Sequence, residues 1–271
     1  MPYPTILKPL PFEQSENFKF TKLKYHAIII LMCKENISIF DLMSKPEKIN
    51  FAYQPIFEIE TNTIYGYEAL MRPAPYTPME VIAEFARHNR LNEIEEFTTY
   101  YGAKHFLENN LPGKLFLNSF PSAFISDEML EKVHQLVQHR LKKRLVVEML
   151  EYTEFDSHAH NKKTAQFKSS QTGQFIAIDD YGTGKNIDEE CIDFYNPDIV
   201  KIDRQLISNI HTNVTNQKAL VDICTYLQKK NIIILAEGVE TQEEYDYLKN
   251  YPIKLMQGYF LGKPQIYDNN N

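Results

Sequence analysis

Short apolar segments recur along residues 49–257, each about the length of one β-strand. They are apolar almost without interruption, which is typical of strands that are buried on both faces of a parallel sheet. The eight segments are INFAYQ (49–54), TIYGYE (63–68), KLFLN (114–118), RLVVE (144–148), FIAID (175–179), DIVKI (198–202), IIILAE (232–237) and IKLMQ (253–257).

Segments of helical length, with charged residues on one side, lie between most of these strands. They cover residues 77–90, 91–109, 126–143, 215–231 and 241–250. Ser126 and Thr241 are predicted N-caps, and Glu244, three residues after Thr241, completes a capping box. Strands that alternate with helices indicate a parallel α/β architecture, and eight strands predict a (β/α)8 TIM-like barrel.

The predicted barrel domain covers residues 49–265. It is preceded by an N-terminal extension, residues 1–48, and followed by a C-terminal tail, residues 266–271. The longest apolar run, AIIILMC at 27–33, is too short for a membrane span, which needs about 20 residues. No small-residue cleavage site follows it, so we prefer a buried strand or helical turn to a signal peptide.

Composition narrows the classes of function. The 271 residues carry a formal net charge of −7, which argues against a nonspecific binder of nucleic acid polymers. The three cysteines, Cys33, Cys191 and Cys224, are odd in number and form no CxxC pair. This pattern favours reduced thiols and a cytoplasmic protein.

Polar side chains end nearly all of the predicted strands. These residues are Gln54, Glu68, Asn118, Glu148, Asp179, Glu237 and Gln257, and Asp180 and Lys201 lie close to them in sequence. A single acid in such a position is often only a helix N-cap. Seven of them on successive strands predict a ring at the C-terminal mouth of the barrel, where active sites of this fold are built.

The ligand types predict a hard metal ion. Glu68, Asn118 and Glu148, together with Asp179, offer only oxygen, and no His or Cys ends a predicted strand. Oxygen ligands suit Mg²⁺ or Mn²⁺ rather than zinc or copper. With Asp180 beside Asp179 there are enough acids for two ions about 3.5–4 Å apart, an arrangement that activates water against a phosphoryl group.

Two basic residues have alternative roles. Lys201 would hold a water or a phosphate oxygen, or it would simply neutralise the acids in a buried ion pair. Arg72 suits a bidentate contact with phosphate, although a surface salt bridge is the alternative.

Seven motifs together resemble the EAL-domain family of cyclic di-GMP phosphodiesterases. They are YEALMRP (67–73), LFLNSFP (115–121), VVEMLE (146–151), IAIDDYGTG (176–184), VKIDR (200–204), LAEGVET (235–241) and MQGYFLGKP (256–264). They follow one another in the family's order over residues 50–264.

The resemblance implies a role for each matching residue. Metal ligands are Glu68, Asn118, Glu148, Asp179 and Asp180. Catalytic residues are Lys201, Glu237, which would act as a general base, and Glu151, which would steady the loop after the aspartates. Substrate contacts are Gln54, Leu70, Arg72 and Gln257. It further implies a first strand antiparallel to the others, two Mg²⁺ or Mn²⁺ ions, hydrolysis of cyclic di-GMP to pGpG, and a homodimer.

One segment departs from the family pattern. After DDYGTG the chain reads KNID (185–188), where the family has a Tyr-Ser-Ser-Leu-like run. The departure leaves open a second function, a cyclic di-GMP receptor or protein-binding adaptor with little or no activity. A third alternative is an unrelated metal-dependent phosphoesterase on the same barrel.

Overall fold

A computed structural model describes residues 37–141, 143–150, 161, 174–182 and 189–267. The apolar run at 27–33, Glu151 and the KNID segment lie outside the described residues. Within the described part, no helix is both long enough and apolar enough to cross a membrane.

Nine strands form one sheet, and the first eight coincide with the eight predicted segments. They are β1 (Asn50–Glu58), β2 (Thr63–Arg72), β3 (Lys114–Ser119), β4 (Leu145–Met149), β5 (Phe175–Tyr181), β6 (Ile199–Ile202), β7 (Ile233–Ala236), β8 (Leu255–Met256) and β9 (Gln265–Ile266).

The sheet closes into a barrel. Strands β2 to β8 pair in parallel and in sequence order, and β1 pairs antiparallel with both β2 and β8. The predicted TIM-like fold and the antiparallel first strand are therefore confirmed. The short strand β9 pairs with another part of β1, opposite Ala52 and Tyr53, and it was not predicted.

Helices connect the strands. They are α1 (Ile39–Met43), α2 (Pro78–Arg87), α3 (Leu91–Glu108), α4 (Asp127–Arg140), α5 (Glu189–Tyr195), α6 (Arg204–Ile207), α7 (Val214–Lys229) and α8 (Gln242–Leu248). The five predicted helices correspond to α2, α3, α4, α7 and α8. The short helices α5 and α6 were not predicted, because so few residues give little helical periodicity; α8 is as short as α5, but its capping box marks where it begins.

Both predicted N-caps are confirmed. The backbone N–H of Met129 donates to Ser126 Oγ at 3.3 Å. Thr241 and Glu244 form the reciprocal bonds of a capping box at the start of α8. These caps begin two of the helices that return the chain to the N-terminal end of the barrel.

A layer of apolar side chains fills the barrel below its mouth. It consists of Ile56, Phe116, Val146, Ala177, Ile199, Leu235 and Leu255, which are all fully buried. Each lies two residues from one of the predicted polar residues, and residues two apart in a strand point to the same face. The apolar layer is therefore the floor beneath the polar ring.

Residues 37–48 pack on the outside of the barrel domain. Phe40 of α1 contacts Phe85 of α2, with ring centroids 4.9 Å apart, and the Tyr76 hydroxyl donates to the Ile37 carbonyl at 2.6 Å. The division of the chain at residues 49 and 266 stays a prediction.

Candidate active site

Lys201 lies at the centre of the polar ring. Its Nζ atom is 2.7 Å from Glu148 Oε1, 2.8 Å from Asp179 Oδ1 and 2.6 Å from Glu237 Oε1. Glu68 Oε2 is also near, at 4.0 Å. The Lys201 side chain is only 1% exposed, so these acids neutralise a buried cation, as one of the two sequence interpretations expected.

Glu68 is held by two amides from opposite sides. Asn118 Nδ2 donates to Glu68 Oε1 at 3.0 Å, and Gln257 Nε2 donates to Glu68 Oε2 at 2.8 Å. Strand pairing produces this arrangement, because β2 lies beside β3 and the barrel closes through β1 to β8. Residues almost 190 positions apart in the chain thus meet at one carboxylate.

Negative charge exceeds positive charge in this cluster. Burial raises the pKa of Glu148 well above its usual range, with Glu68 and Asp179 adding to the rise and Lys201 opposing it. Burial also raises the pKa of Glu237. The four acids around Lys201 raise the pKa of its ammonium group, although burial opposes them, so Lys201 remains charged.

Asp180 lies beside this cluster at the end of β5. Its backbone has a φ of 52°, in the left-handed region that non-glycine residues adopt infrequently. Burial raises the pKa of Asp180 to about 7, and the neighbouring Asp179 and Asp203 add to the effect. Carboxylate oxygens of Asp179, Asp180 and Glu237 lie within 4.8 Å of one another.

These residues fit a divalent cation. Glu148 Oε2 and Gln257 Oε1 are buried and find no hydrogen-bond partner within the described ranges. Buried oxygens without partners are costly, and a cation would satisfy them and offset the excess negative charge. Because the available atoms are carboxylate and amide oxygens, the site suits a hard cation.

A cavity of about 260 Å³ opens beside the acids. Asn118, Asp179 and Asp180 form its polar part, and Leu70 and Arg72 belong to its wall. The remaining lining is mostly apolar and comes from β1, β2, α2 and α3 and from the chain at the ends of β3 and β4. It consists of Phe51, Ala69, Met71, Pro78, Met79, Ile82, Ile94, Thr98, Leu117, Phe120 and Leu150.

Of the predicted substrate-contacting residues, Leu70 and Arg72 line the cavity, whereas Gln54 and Gln257 lie beside Glu68. Gln54 pairs directly with Glu68 across β1 and β2, and its Nε2 donates to the Gly262 carbonyl at 3.2 Å. Arg72 Nη1 donates to the carbonyls of Leu70 and Met71, at 3.3 and 3.1 Å. Its guanidinium group is thereby held along its own strand, at the edge of the cavity.

Asp203 was missed by the sequence reasoning. It follows Lys201 by two residues in the VKIDR motif, caps α6 by accepting from the Gln205 N–H at 2.8 Å, and contributes to the raised pKa of Asp180. Its closeness to Lys201 in the sequence was the available signal. Only the turn after β6 brings it near Asp180.

Comparison with known proteins shows which family and which relatives this chain matches. A family model described as the EAL domain matches residues 41–264. The probable cyclic di-GMP phosphodiesterase PdeN of Escherichia coli K12 is 28% identical over 232 residues. That match covers 81% of this chain and 44% of PdeN, so the chain spans less than half of that relative.

Two solved structures resemble the barrel. A standalone EAL protein from Vibrio cholerae O395, in a c-di-GMP-bound form, is 26% identical with a TM-score of 0.71. The match covers 80% of this chain and 92% of that one. BlrP1 from Klebsiella pneumoniae, in a complex with manganese and cyclic di-GMP, is also 26% identical, with a TM-score of 0.67 and coverage of 81% and 56%.

Proposed function

The chain belongs to the EAL domain family, and on this premise we propose that it hydrolyses cyclic di-GMP to linear pGpG with divalent metal ions. The observation that carries the proposal is the cluster of four acids around the buried Lys201, with Asp180 beside it, at the edge of a cavity that Asp179 and Asp180 line. The names of the relatives and the ligands bound in the similar structures support the choice of substrate.

The proposed ligands of two Mg²⁺ or Mn²⁺ ions are the oxygen donors at the strand ends. They are Glu68, Asn118, Glu148, Asp179 and Asp180. Bound there, the cations would offset the negative charge of a non-bridging phosphate oxygen and lower the pKa of the attacking water. The excess negative charge and the unpartnered oxygen of Glu148 support this assignment.

Lys201 and Glu237 would act directly on the reaction. The raised pKa of Glu237 makes its carboxylate a better proton acceptor, so it would take the proton of the attacking water. Lys201, 2.6 Å from Glu237, would orient that carboxylate and stabilise the negative charge that develops on phosphate. Glu151 would steady the loop after the aspartates.

Substrate would be oriented by side chains in and around the cavity. Gln54 pairs with Glu68 across the strands, Gln257 donates to its carboxylate, and Leu70 and Arg72 line the wall of the cavity. To contact a phosphate, Arg72 would exchange its bonds to strand carbonyls for charge-assisted bonds to phosphate oxygens.

The test is chromatography of the full chain after incubation with cyclic di-GMP and Mg²⁺ or Mn²⁺. We expect pGpG to form, to be absent with a chelator, and to be absent in Glu68→Ala, which loses an oxygen ligand. Glu60→Ala is the matched control, because Glu60 is an exposed acid in the turn between β1 and β2.

Each alternative has its own outcome. Intact substrate together with tight binding of cyclic di-GMP would replace hydrolysis by a receptor or adaptor function. Cleavage of generic phosphodiesters, without preference for cyclic di-GMP, would indicate an unrelated phosphoesterase. Wild-type turnover by Glu68→Ala would refute the metal assignment.

A further inference from the structure

Glu95 is a buried carboxylate on the outer helix α3. It is 0% exposed, and its neighbours on the buried side of the helix include Ile94 and Phe97. Burying a carboxylate costs free energy unless hydrogen bonds compensate for the lost hydration. A charged residue at this position therefore needs specific partners.

Two hydrogen-bond donors to Glu95 immediately follow Asn118 in the chain. Ser119 Oγ donates to Glu95 Oε1 at 2.5 Å, and the backbone N–H of Phe120 donates to Glu95 Oε2 at 3.0 Å. Both carboxylate oxygens are thus used, and each binds a different residue. The carboxylate clamps the last residue of β3 and the first residue of the following turn.

The segment that Glu95 binds lies between two of the proposed metal ligands: it follows Asn118 in the chain, and it is hydrogen-bonded to the chain that follows Glu148. Asn118, next to Ser119, donates to Glu68 Oε1 at 3.0 Å and lines the cavity. The Ser119 carbonyl accepts the Leu150 N–H at 3.0 Å, which ties the end of β3 to the chain just beyond Glu148. A shift at Ser119 would move Asn118 relative to both glutamates.

We infer that Glu95 is a positioning residue, which holds Asn118 in the geometry that metal binding requires. The inference deepens the proposed function and rests on its assignment of Asn118 as a ligand. Side chains that orient ligands typically change metal affinity by about 10–100-fold when they are replaced.

Glu96, the next residue, provides a matched control. Its Oε1 accepts the backbone N–H of Ser126 at 2.7 Å, so it also fastens the connection between β3 and α4 to α3. Ser126 lies eight residues beyond Asn118 and caps α4. Glu95 and Glu96 thus lie on the same helix, and the carboxylate of each accepts a backbone N–H. Only Glu95 binds residues that directly follow Asn118.

The experiment titrates the metal-free full chain with Mn²⁺ and follows free Mn²⁺ by electron paramagnetic resonance. Glu95→Gln should raise the Kd about 10-fold, because an amide has one acceptor oxygen and cannot accept at both of its terminal atoms. Glu96→Gln should leave the Kd unchanged. Ser119→Ala, which removes one of the two donors, should weaken binding in the same direction, and it tests the clamp even if Glu95→Gln does not fold.

A double-mutant cycle separates positioning from general stability. In an Asn118→Ala background, Glu95→Gln should change the Mn²⁺ Kd no further, since the residue through which it acts is gone. An unchanged Kd in Glu95→Gln with a lowered Tm would overturn the inference, and so would a full 10-fold effect in the Asn118→Ala background. A wild-type chain that binds no Mn²⁺ would overturn it as well.

The titration contains no cyclic dinucleotide, so its result is independent of the proposed hydrolysis. A chain that binds Mn²⁺ through Glu95-dependent positioning but leaves cyclic di-GMP intact would refute the hydrolysis and support the inference.

Discussion

At the scale of single residues, Lys201 supplies the positive charge at the centre of the acids in the barrel mouth. It contacts three carboxylates within 2.8 Å, and Glu148 among them is completely buried. Removing one partner of a buried ion pair typically costs about 3–5 kcal/mol, because the other charge stays buried without compensation.

We therefore expect Lys201→Met to lower the free energy of unfolding by about 3–5 kcal/mol in the presence of a chelator. Urea denaturation measures this loss. Lys254→Met serves as the control, because Lys254 is half-exposed and pairs with Glu58 outside the cluster. A Lys201→Met chain as stable as the wild type would show that the acids are neutral without the lysine.

The raised pKa of Asp180 predicts a pH dependence of stability. A carboxyl group with a pKa of about 7 in the native chain, against 3.8 for an aspartate in water, keeps a proton that the unfolded chain has already lost. Stability falls with rising pH wherever the unfolded chain binds fewer protons. The contribution of Asp180 is therefore lost as the pH rises towards about 7, and no further loss follows above it.

Urea denaturation between about pH 5.5 and about pH 8, a range that brackets the pKa of about 7, tests this effect with a chelator present. Asp180→Asn should show a shallower fall in stability than the wild type below about pH 7. Asp193→Asn should keep the wild-type slope, because Asp193 is exposed on α5. Equal slopes in all three chains would contradict the assignment to Asp180.

At the scale of elements, two nearby positions in most strands have different roles. The apolar residue of the floor stabilises the barrel, and the polar residue two positions away forms the site. The connections that follow the strands hold the strand ends in place. In two places a buried glutamate binds such a connection. Glu95 binds the turn after β3, and Glu244 accepts from the N–H groups of Asn209 and Glu240 near the end of β7.

The capping box of α8 gives a prediction at this scale. Thr241 accepts the Glu244 N–H at 3.2 Å, and Thr241→Ala should lower the free energy of unfolding by about 1 kcal/mol, measured by urea denaturation. Thr241→Ser retains the hydroxyl group and should stay close to the wild type. Loss of equal size in both variants would mean that the Thr241 methyl group, rather than the cap, provides the stability.

At the scale of the whole molecule, the closure of the barrel depends on β1. Its pairing with β8 is short, Phe57 with Met256 and Glu58 with Leu255, and β9 pairs with a different part of the same strand. Tyr267, next to β9, packs against Tyr53 and Tyr67, with ring centroids 6.4 and 6.2 Å away. The chain after residue 264 therefore supports the closing strand.

A chain that ends at Pro264 should lose at least about 2 kcal/mol of stability, because it lacks the Tyr267 contacts and the pairing with β1. It should also associate, since an unpaired strand edge is a template for other chains. Urea denaturation and size-exclusion chromatography measure the two effects. A chain that lacks only residues 268–271 retains β9 and is the control, and equal behaviour of both truncated chains would refute this role of β9.

The sequence by itself determined the strands, most helices and the identity of the polar ring. Continuous apolar runs of strand length that alternate with amphipathic helices indicate strands buried on both faces, and strand ends that carry oxygen ligands converge once eight strands form a barrel. The motifs supplied the family and the antiparallel β1. These inferences succeeded because they depend on local patterns, which neighbouring residues in the chain already contain.

Tertiary structure alone decided how these residues bind one another. The bonds of Glu68 to Asn118 and Gln257 span 50 and 189 positions, and no local pattern encodes them. The same applies to Glu95, which reads in the sequence as one of several charged residues on an amphipathic helix. Burial and partner choice depend on the packing of distant segments, so they determine pKa values, charge balance and ligand positioning only after the barrel has closed.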